Sequence, residues 1–303
     1  MAAKAKAPLR TRSHPSVRGY GRACRHVAVV ATGWLSMACG QSSIVEPAAP
    51  VSEGRLLELP VGAVTNQKEE LLHARLELFG LGLATVQSSV CPAGPEGPLT
   101  VSTRVEPAAL VKVVKRAGGD ARTEISAFSV APSASEYHFR DGDLLRHYQV
   151  EYGPGGYDYV YDNGGVGRRA GHLPVPEGAH PQDMQSALIL LRGWRPRLGE
   201  EAYFYAVLGR RLWRVDVRSA GPEMIGTEQG PQLSHRIEGV AVRLWQPEEV
   251  TPRHFAVWLS EAPERVPLRL VADASFGEVV LTLTDRERES PECSRPLARS
   301  NVD

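Results

Sequence analysis

The chain has 303 residues, with 35 Lys plus Arg against 35 Asp plus Glu, 42% hydrophobic residues, 29 Gly, 23 Pro and 4 Cys. Balanced charge leaves no basic footprint for nucleic acid. The cysteines show no CxxC and no Cys/His spacing of the kind that holds zinc.

The first elements concern address. Lys4, Lys6, Arg10, Arg12, Arg18, Arg22 and Arg25 come before any acidic residue, and residues 27–38, "VAVVATGWLSMA", are apolar. A basic arm, a short apolar run and small residues before a cut site make a secretory signal over residues 1–38. The run is too short to span a bilayer, which needs about 20 apolar residues. Loss of the seven basic residues leaves a formal balance of −7. Two peptidases suit the cut before Cys39. Ser36 and Ala38 fit the ordinary enzyme, and the segment also resembles a bacterial lipobox, in which Cys39 would carry lipid. The lipobox departs from its family pattern at Ser36 and Met37, with Leu35 one place early. Gly40 rather than Asp leaves out the inner-membrane retention signal of enteric bacteria, so an outer-membrane lipoprotein facing the periplasm is the expected address.

Residues 39–67 are rich in Pro, Ser and Gly and read as a tether. A single β-rich domain is expected over 68–286, followed by a polar tail over 287–303. Short alternating runs separated by turn residues fill that domain. The first strand is expected from Leu71 through "RLELFGLGLATV", bent or bulged at Gly80 and Gly82. Val101, Thr103 and Val105 share a face, and "EPAALVKVVKRAGG" at 106–119 reads as a short helix ending at a Gly pair. "YHFRDGDLLRHYQVEY" reads as a hairpin turning at Asp141–Gly142, and "YDYVYD" puts Tyr157, Tyr159 and Tyr161 on one face. "HPQDMQSALILLRGW" reads as a second helix, with Met184, Leu188 and Leu191 along one side to lie across the sheet. Trp213, Val215 and Val217 then face inward, as do Phe255, Val257 and Leu259, and Val279, Leu281 and Leu283 share the last strand's face. The fold class is therefore mainly β: one antiparallel curved sheet or half-barrel with two short helices, one packed across it.

Three segments also carry a family resemblance. "DMQSALILLRGW", "AVWLSEAPERVPLRLVADASFGEVVLTLTD" and "LLHARLELFGLGLATV" resemble the bacterial envelope family catalogued as domain of unknown function 3108, and the likeness covers residues 68–286. One departure is Glu261-Ala262-Pro263, where the family more usually has aspartates, so no metal role for that turn carries over. The resemblance implies an exported β-rich domain and no assigned activity.

Candidate sites stand beside plainer readings. Asp183, Ser186 and Arg192 could anchor a polar head group; equally, Asp183 suits a helix N-terminus and Arg192 a C-terminus. Arg265 shares a strand face with Arg269 and is expected to pair with neighbouring acids. The Tyr157, Tyr159, Tyr161 stripe, repeated at Tyr203 and Tyr205, means cross-strand packing or an amphipathic groove. Nine histidines are scattered without ligand spacing, so no metal and no cofactor are expected. In an exported protein, even pairing makes Cys91–Cys293 the natural disulfide, two free thiols being the alternative. No catalytic motif is present. The expected function is a non-enzymatic envelope module, held at the membrane by its N-terminal lipid, that binds an apolar or amphipathic ligand such as a lipid. The alternative is a structural or assembly lipoprotein contacting another envelope protein.

Overall fold

Period-two alternation of apolar and polar residues, interrupted by Gly-containing turns, builds strands one after another along the chain. The computed structural model describes residues 54–59, 67–94, 97–109, 111, 117–126, 128–164, 167–209, 211–244, 251–274, 277–288 and 293. The signal segment, Cys39, most of the tether, most of the first expected helix and nearly all of the tail lie outside the described residues.

A first meander comprises β2 (Glu70–Leu78), β3 (Leu81–Pro92), β4 (Leu99–Pro107), β5 (Ala117–Ile125), β6 (Pro132–Asp141), β7 (Leu144–Gly153), β8 (Gly156–Asp162) and β9 (Arg168–Pro174). The helix α1 (Met184–Gly193) follows. A second meander comprises β10 (Glu201–Leu208), β11 (Arg211–Thr227), β12 (Gly230–Arg243), β13 (Arg253–Ser260), β14 (Pro267–Ala274) and β15 (Gly277–Glu287). The short β1 (Arg55–Leu56) precedes both. All fifteen strands form one open sheet, ordered β1-β10-β11-β12-β13-β14-β15-β2-β3-β4-β5-β6-β7-β8-β9. The last strand thus pairs with the first long one, antiparallel, with Val279 opposite Leu78.

Several expectations change in detail. The segment after Leu71 is a hairpin rather than one bent strand: Phe79 (φ 51°) and Gly80 (φ 74°) make a two-residue turn with both φ angles positive, the type I′ geometry that follows strand twist. The bulge falls beyond it, where Glu77 pairs with Gly82 after Leu76 has paired with Ala84. The next hairpin turns at Gly142–Asp143, since Asp141 pairs with Leu144, with Gly142 at φ 67°. Pro107, expected to open a helix, is the last residue of β4. Part of the expected tether is also structured. Arg55 and Leu56 pair with β10 in parallel, Leu57 is buried in the core, and Leu59 packs against α1 at Gly193.

One large apolar cluster draws on both meanders: Val90, Val101 and Ile125 from the first, Phe204, Trp213, Val215, Ile237 and Val257 from the second. Ile189 and Leu190 of α1 and Trp194, which caps its C-terminus, sit in the same cluster. On β10, Phe204, Ala206 and Leu208 face this core, so alternation turns Tyr205 and Val207 to the opposite side. That opposite side is covered as well: Val207 and Leu212 pack against Val150 and Tyr157 of β7 and β8. Two strands from one end of the sheet therefore lie over the outer face of the strands near the other end. Among the described residues no helix is long and apolar enough to cross a membrane.

Candidate functional site: an apolar cavity beneath the helix

α1 begins where it does because Asp183 caps it. The Asp183 carboxylate accepts from the Ser186 backbone N–H at 2.7 Å and from Ser186 Oγ at 2.7 Å, while Asp183 N–H donates to Ser186 Oγ at 2.8 Å, a capping box. The other carboxylate oxygen accepts from Ser135 Oγ at 2.6 Å, from Tyr137 Oη at 2.8 Å and from Thr123 Oγ1. Asp183 is 0% exposed, so its charge is met entirely by these donors from β5, β6 and the helix's own first turn. Burial first, then the Asp183 charge, pushes the Tyr137 and Tyr152 phenols well above their ordinary range, which keeps both protonated. Gln185 adds a bond to Thr103 of β4 at 2.8 Å.

The far end of the helix is pinned differently. Arg192, 2% exposed, pairs through Nη1 with Glu70 at the start of β2, and its Nε and Nη2 donate to the Glu264 carbonyl at 3.2 and 3.1 Å. Glu70 also accepts from Arg286 of β15 at 3.1 Å. Both ends of α1 are thus fixed to the sheet by buried polar groups.

Between those two anchors the helix spans a cavity of ≈ 250 Å³. Its wall is formed by inner-face residues of the first meander, among them Leu76, Val101, Val105 and Phe139, and of the second, among them Phe204, Leu208, Val257 and Leu281. Met184, Ala187 and Leu188 of α1 roof it and are only half-buried, unlike Leu190 on the helix's packed side. Val101, Thr103 and Val105, expected to share a face, all line it. Besides Asp183 and Arg192, the charged lining residues are Asp120, Arg253, His254 and Asp273, which stand at a rim within four residues of the ends of β5, β13 and β14. Phe79 and Leu81, 72% and 69% exposed, occupy the β2–β3 turn at that same end of the strands.

The residues singled out from sequence separate into three groups. Asp183 and Arg192 line the cavity but spend their polar atoms on the protein, and Ser186 is wholly buried in the cap. Tyr157, Tyr159 and Tyr161 are away from the cavity: Tyr157 is buried against Val207 and Leu212, Tyr159 packs at its edge, and Tyr161 stacks on Tyr148 at 4.4 Å. Burial pushes the Tyr157 phenol upward, and its hydroxyl has no hydrogen-bond partner. Arg265 is not on a strand face with Arg269. It sits in the turn before β14 at φ 47°, 5% exposed, and its Nε and Nη2 have no hydrogen-bond partner, so the expected acid pairing is absent there. Burial, and then the nearby Arg195, push its guanidinium down to about 10 against the pull of Glu261. Cys91 and Cys293 are joined in a disulfide, with Cα atoms 5.3 Å apart.

Sequence reasoning missed Glu70, Thr123, Ser135 and Tyr137, the partners of the helix anchors. It also missed a group outside the cavity. Glu136 Oε1 lies 2.9 Å from His147 Nε2 and 3.1 Å from His138 Nε2. Partial burial alone would raise the Glu136 carboxyl, but the hydrogen bond from His147 and the charge of His138 outweigh it and hold it below the usual value. A signal was present in the Glu-x-His spacing on one strand face opposite a hairpin, legible once the hairpin register is known.

An open, largely antiparallel sheet around a helix-roofed apolar cavity defines a β-barrel-like protein. The family described as "Protein of unknown function (DUF3108)" matches residues 79–284, and the chain belongs to it. Among solved structures, it is similar to a β-barrel-like protein of domain of unknown function DUF1849 from Brucella abortus. That match has a TM-score of 0.52 and 8% identity, and covers 77% of this chain and 100% of that one. A Bacteroides fragilis protein with a YmcC-like fold matches at a TM-score of 0.34 and 10% identity, over 77% of this chain and 99% of that one. No curated protein matches the sequence.

Proposed function

We propose that this chain is an exported, non-enzymatic envelope protein that holds an apolar or amphipathic ligand, such as an acyl chain, in the cavity beneath α1. The sheet is then a half-barrel rolled around the helix, with the ligand's apolar part inside and its polar end at the charged rim. The observation that carries this reading is the half-buried face of Met184, Ala187 and Leu188 over a ≈ 250 Å³ apolar space. Close-packed interiors seldom contain a void larger than a water molecule, and an apolar cavity of about 150 Å³ already accommodates benzene. Export rests on the basic arm and apolar run of residues 1–38, and the Cys91–Cys293 disulfide supports an oxidising compartment. Anchoring at the outer membrane through Cys39 completes the proposed address.

Native mass spectrometry of the protein released gently from envelopes tests the cavity. The expected result is a reproducible bound amphiphile, lost in Leu188→Trp, which fills the space while keeping the fold. A wild-type protein that is always ligand-free, or equal loading in Leu188→Trp, would overturn the proposal. For the anchor, Cys39→Ser is expected to leave the protein exported but no longer in the membrane fraction; unchanged membrane association sinks the lipid attachment.

The second reading, an assembly lipoprotein contacting another envelope protein, is favoured by exposed Phe79 and Leu81 beside the rim. Crosslinking from position 81 in intact cells separates the two: a defined protein adduct supports this reading, and lipid adducts alone support the first.

A further inference from the structure

Among the described residues, Glu136, His138 and His147 form the one group of three potential metal ligands whose donor atoms all lie within 4.8 Å of one another. The group follows from sheet register. His138 of β6 is directly opposite His147 of β7, and Glu136 is two residues before His138, so all three project from one face. Tyr137, between them, points to the other face and lines the cavity, so the sheet itself separates the group from the ligand space.

The geometry points to a divalent transition-metal site of the zinc class at Glu136, His138 and His147. Tetrahedral coordination with metal–ligand distances of about 2.0–2.1 Å places ligand atoms about 3.3 Å apart. The two carboxylate–imidazole separations, 2.9 and 3.1 Å, are already close to that edge length. The imidazoles stack at 4.3 Å between centroids with planes 12° apart, and both Nε2 atoms flank the same carboxylate oxygen. Imidazole and carboxylate together suit zinc, copper and nickel rather than calcium or magnesium, which take oxygen ligands. Three protein ligands on a half-exposed face leave a fourth position for water or an exogenous ligand. Gln149, opposite Glu136, reaches the same carboxylate at 3.4 Å and can hold it in place.

The test uses the full exported chain without a polyhistidine tag, stripped with chelator and titrated calorimetrically with Zn²⁺ alone. One equivalent should bind. His138→Ala and His147→Ala should each weaken binding by at least the 10–100-fold, roughly, that loss of a supporting partner costs, and Glu136→Gln should weaken it as well. His172→Ala is the control, since His172 also faces a carboxylate, Asp158, at 3.1 Å but has no third ligand among the described residues. It should bind as wild type does. Co²⁺ in place of Zn²⁺ should give visible ligand-field bands that vanish in His147→Ala, and circular dichroism of each metal-free variant should match wild type. Absence of saturable Zn²⁺ binding, affinity unmoved by His138→Ala and His147→Ala together, or an equal loss in His172→Ala would each overturn the assignment.

Discussion

Arg192 and Glu70 form a buried charge pair that ties the C-terminal end of α1 to β2. Both side chains are 2% exposed, and Arg286 and the Glu264 carbonyl complete the network. Replacing both partners by apolar residues can be neutral, whereas removing one leaves a buried charge with no counterion, which costs about 3–5 kcal/mol. Glu70→Leu strands Arg192, whose one carboxylate partner among the described residues is Glu70, and should lower unfolding stability by roughly that amount; Arg192→Ala, which leaves Glu70 paired with Arg286, and Arg192→Met with Glu70→Leu should each cost clearly less. Denaturant titration reads all three. Equal losses in Glu70→Leu and the double variant would mean that the pair is not isolated from water as its burial implies.

At the scale of the element, α1 depends on Asp183 more than an ordinary cap would require. A capping side chain alone contributes about 1 kcal/mol. Asp183 also accepts from Thr123, Ser135 and Tyr137, and each buried hydroxyl that loses its acceptor costs about 1–3 kcal/mol. Asp183→Ala should thus destabilise well beyond a cap variant, by about 3 kcal/mol or more. Ser186→Ala, which removes the reciprocal half of the capping box and one of the donors to the Asp183 carboxylate, should stay nearer to about 1 kcal/mol. Thermal unfolding of the two variants side by side decides it: similar shifts would reduce Asp183 to a plain cap.

At the scale of the whole molecule, the two meanders are joined by β15 pairing with β2 and by the crosslink from Cys91, near the end of β3, to Cys293, six residues beyond the end of β15. The two cysteines are 202 positions apart, so the bond constrains nearly the entire unfolded domain. The chain-entropy treatment gives a ceiling of about 5 kcal/mol for so long a loop, and residual structure in the denatured chain brings the value below it. Cys91→Ser with Cys293→Ser should lower the denaturant midpoint while leaving the β-sheet spectrum unchanged. An unchanged midpoint would show that the crosslink does not constrain the unfolded chain.

Local pattern determined much of this protein. Alternation alone assigned Val101, Thr103 and Val105, Trp213, Val215 and Val217, and Phe255, Val257 and Leu259 to their inward faces, because strand side chains point to opposite sides at every residue. A capping residue and apolar spacing placed α1, and cysteine count paired Cys91 with Cys293. Tertiary structure decided the rest, because it depends on which strand lies beside which and in what register. Glu70 meets Arg192 across 122 positions, and Thr123 meets Asp183 across 60. The tyrosine stripe was visible, but only the overlap of β7 and β8 on β10 and β11 turned it onto Val207 and Leu212 instead of toward the cavity. His138 faces His147 because the hairpin turns at Gly142–Asp143; a turn at Asp141–Gly142 slides the partner strand by two residues and puts His147 opposite Glu136 instead. Periodicity specifies a side chain's face, while its neighbour on that face is set by pairing energies summed along whole strands.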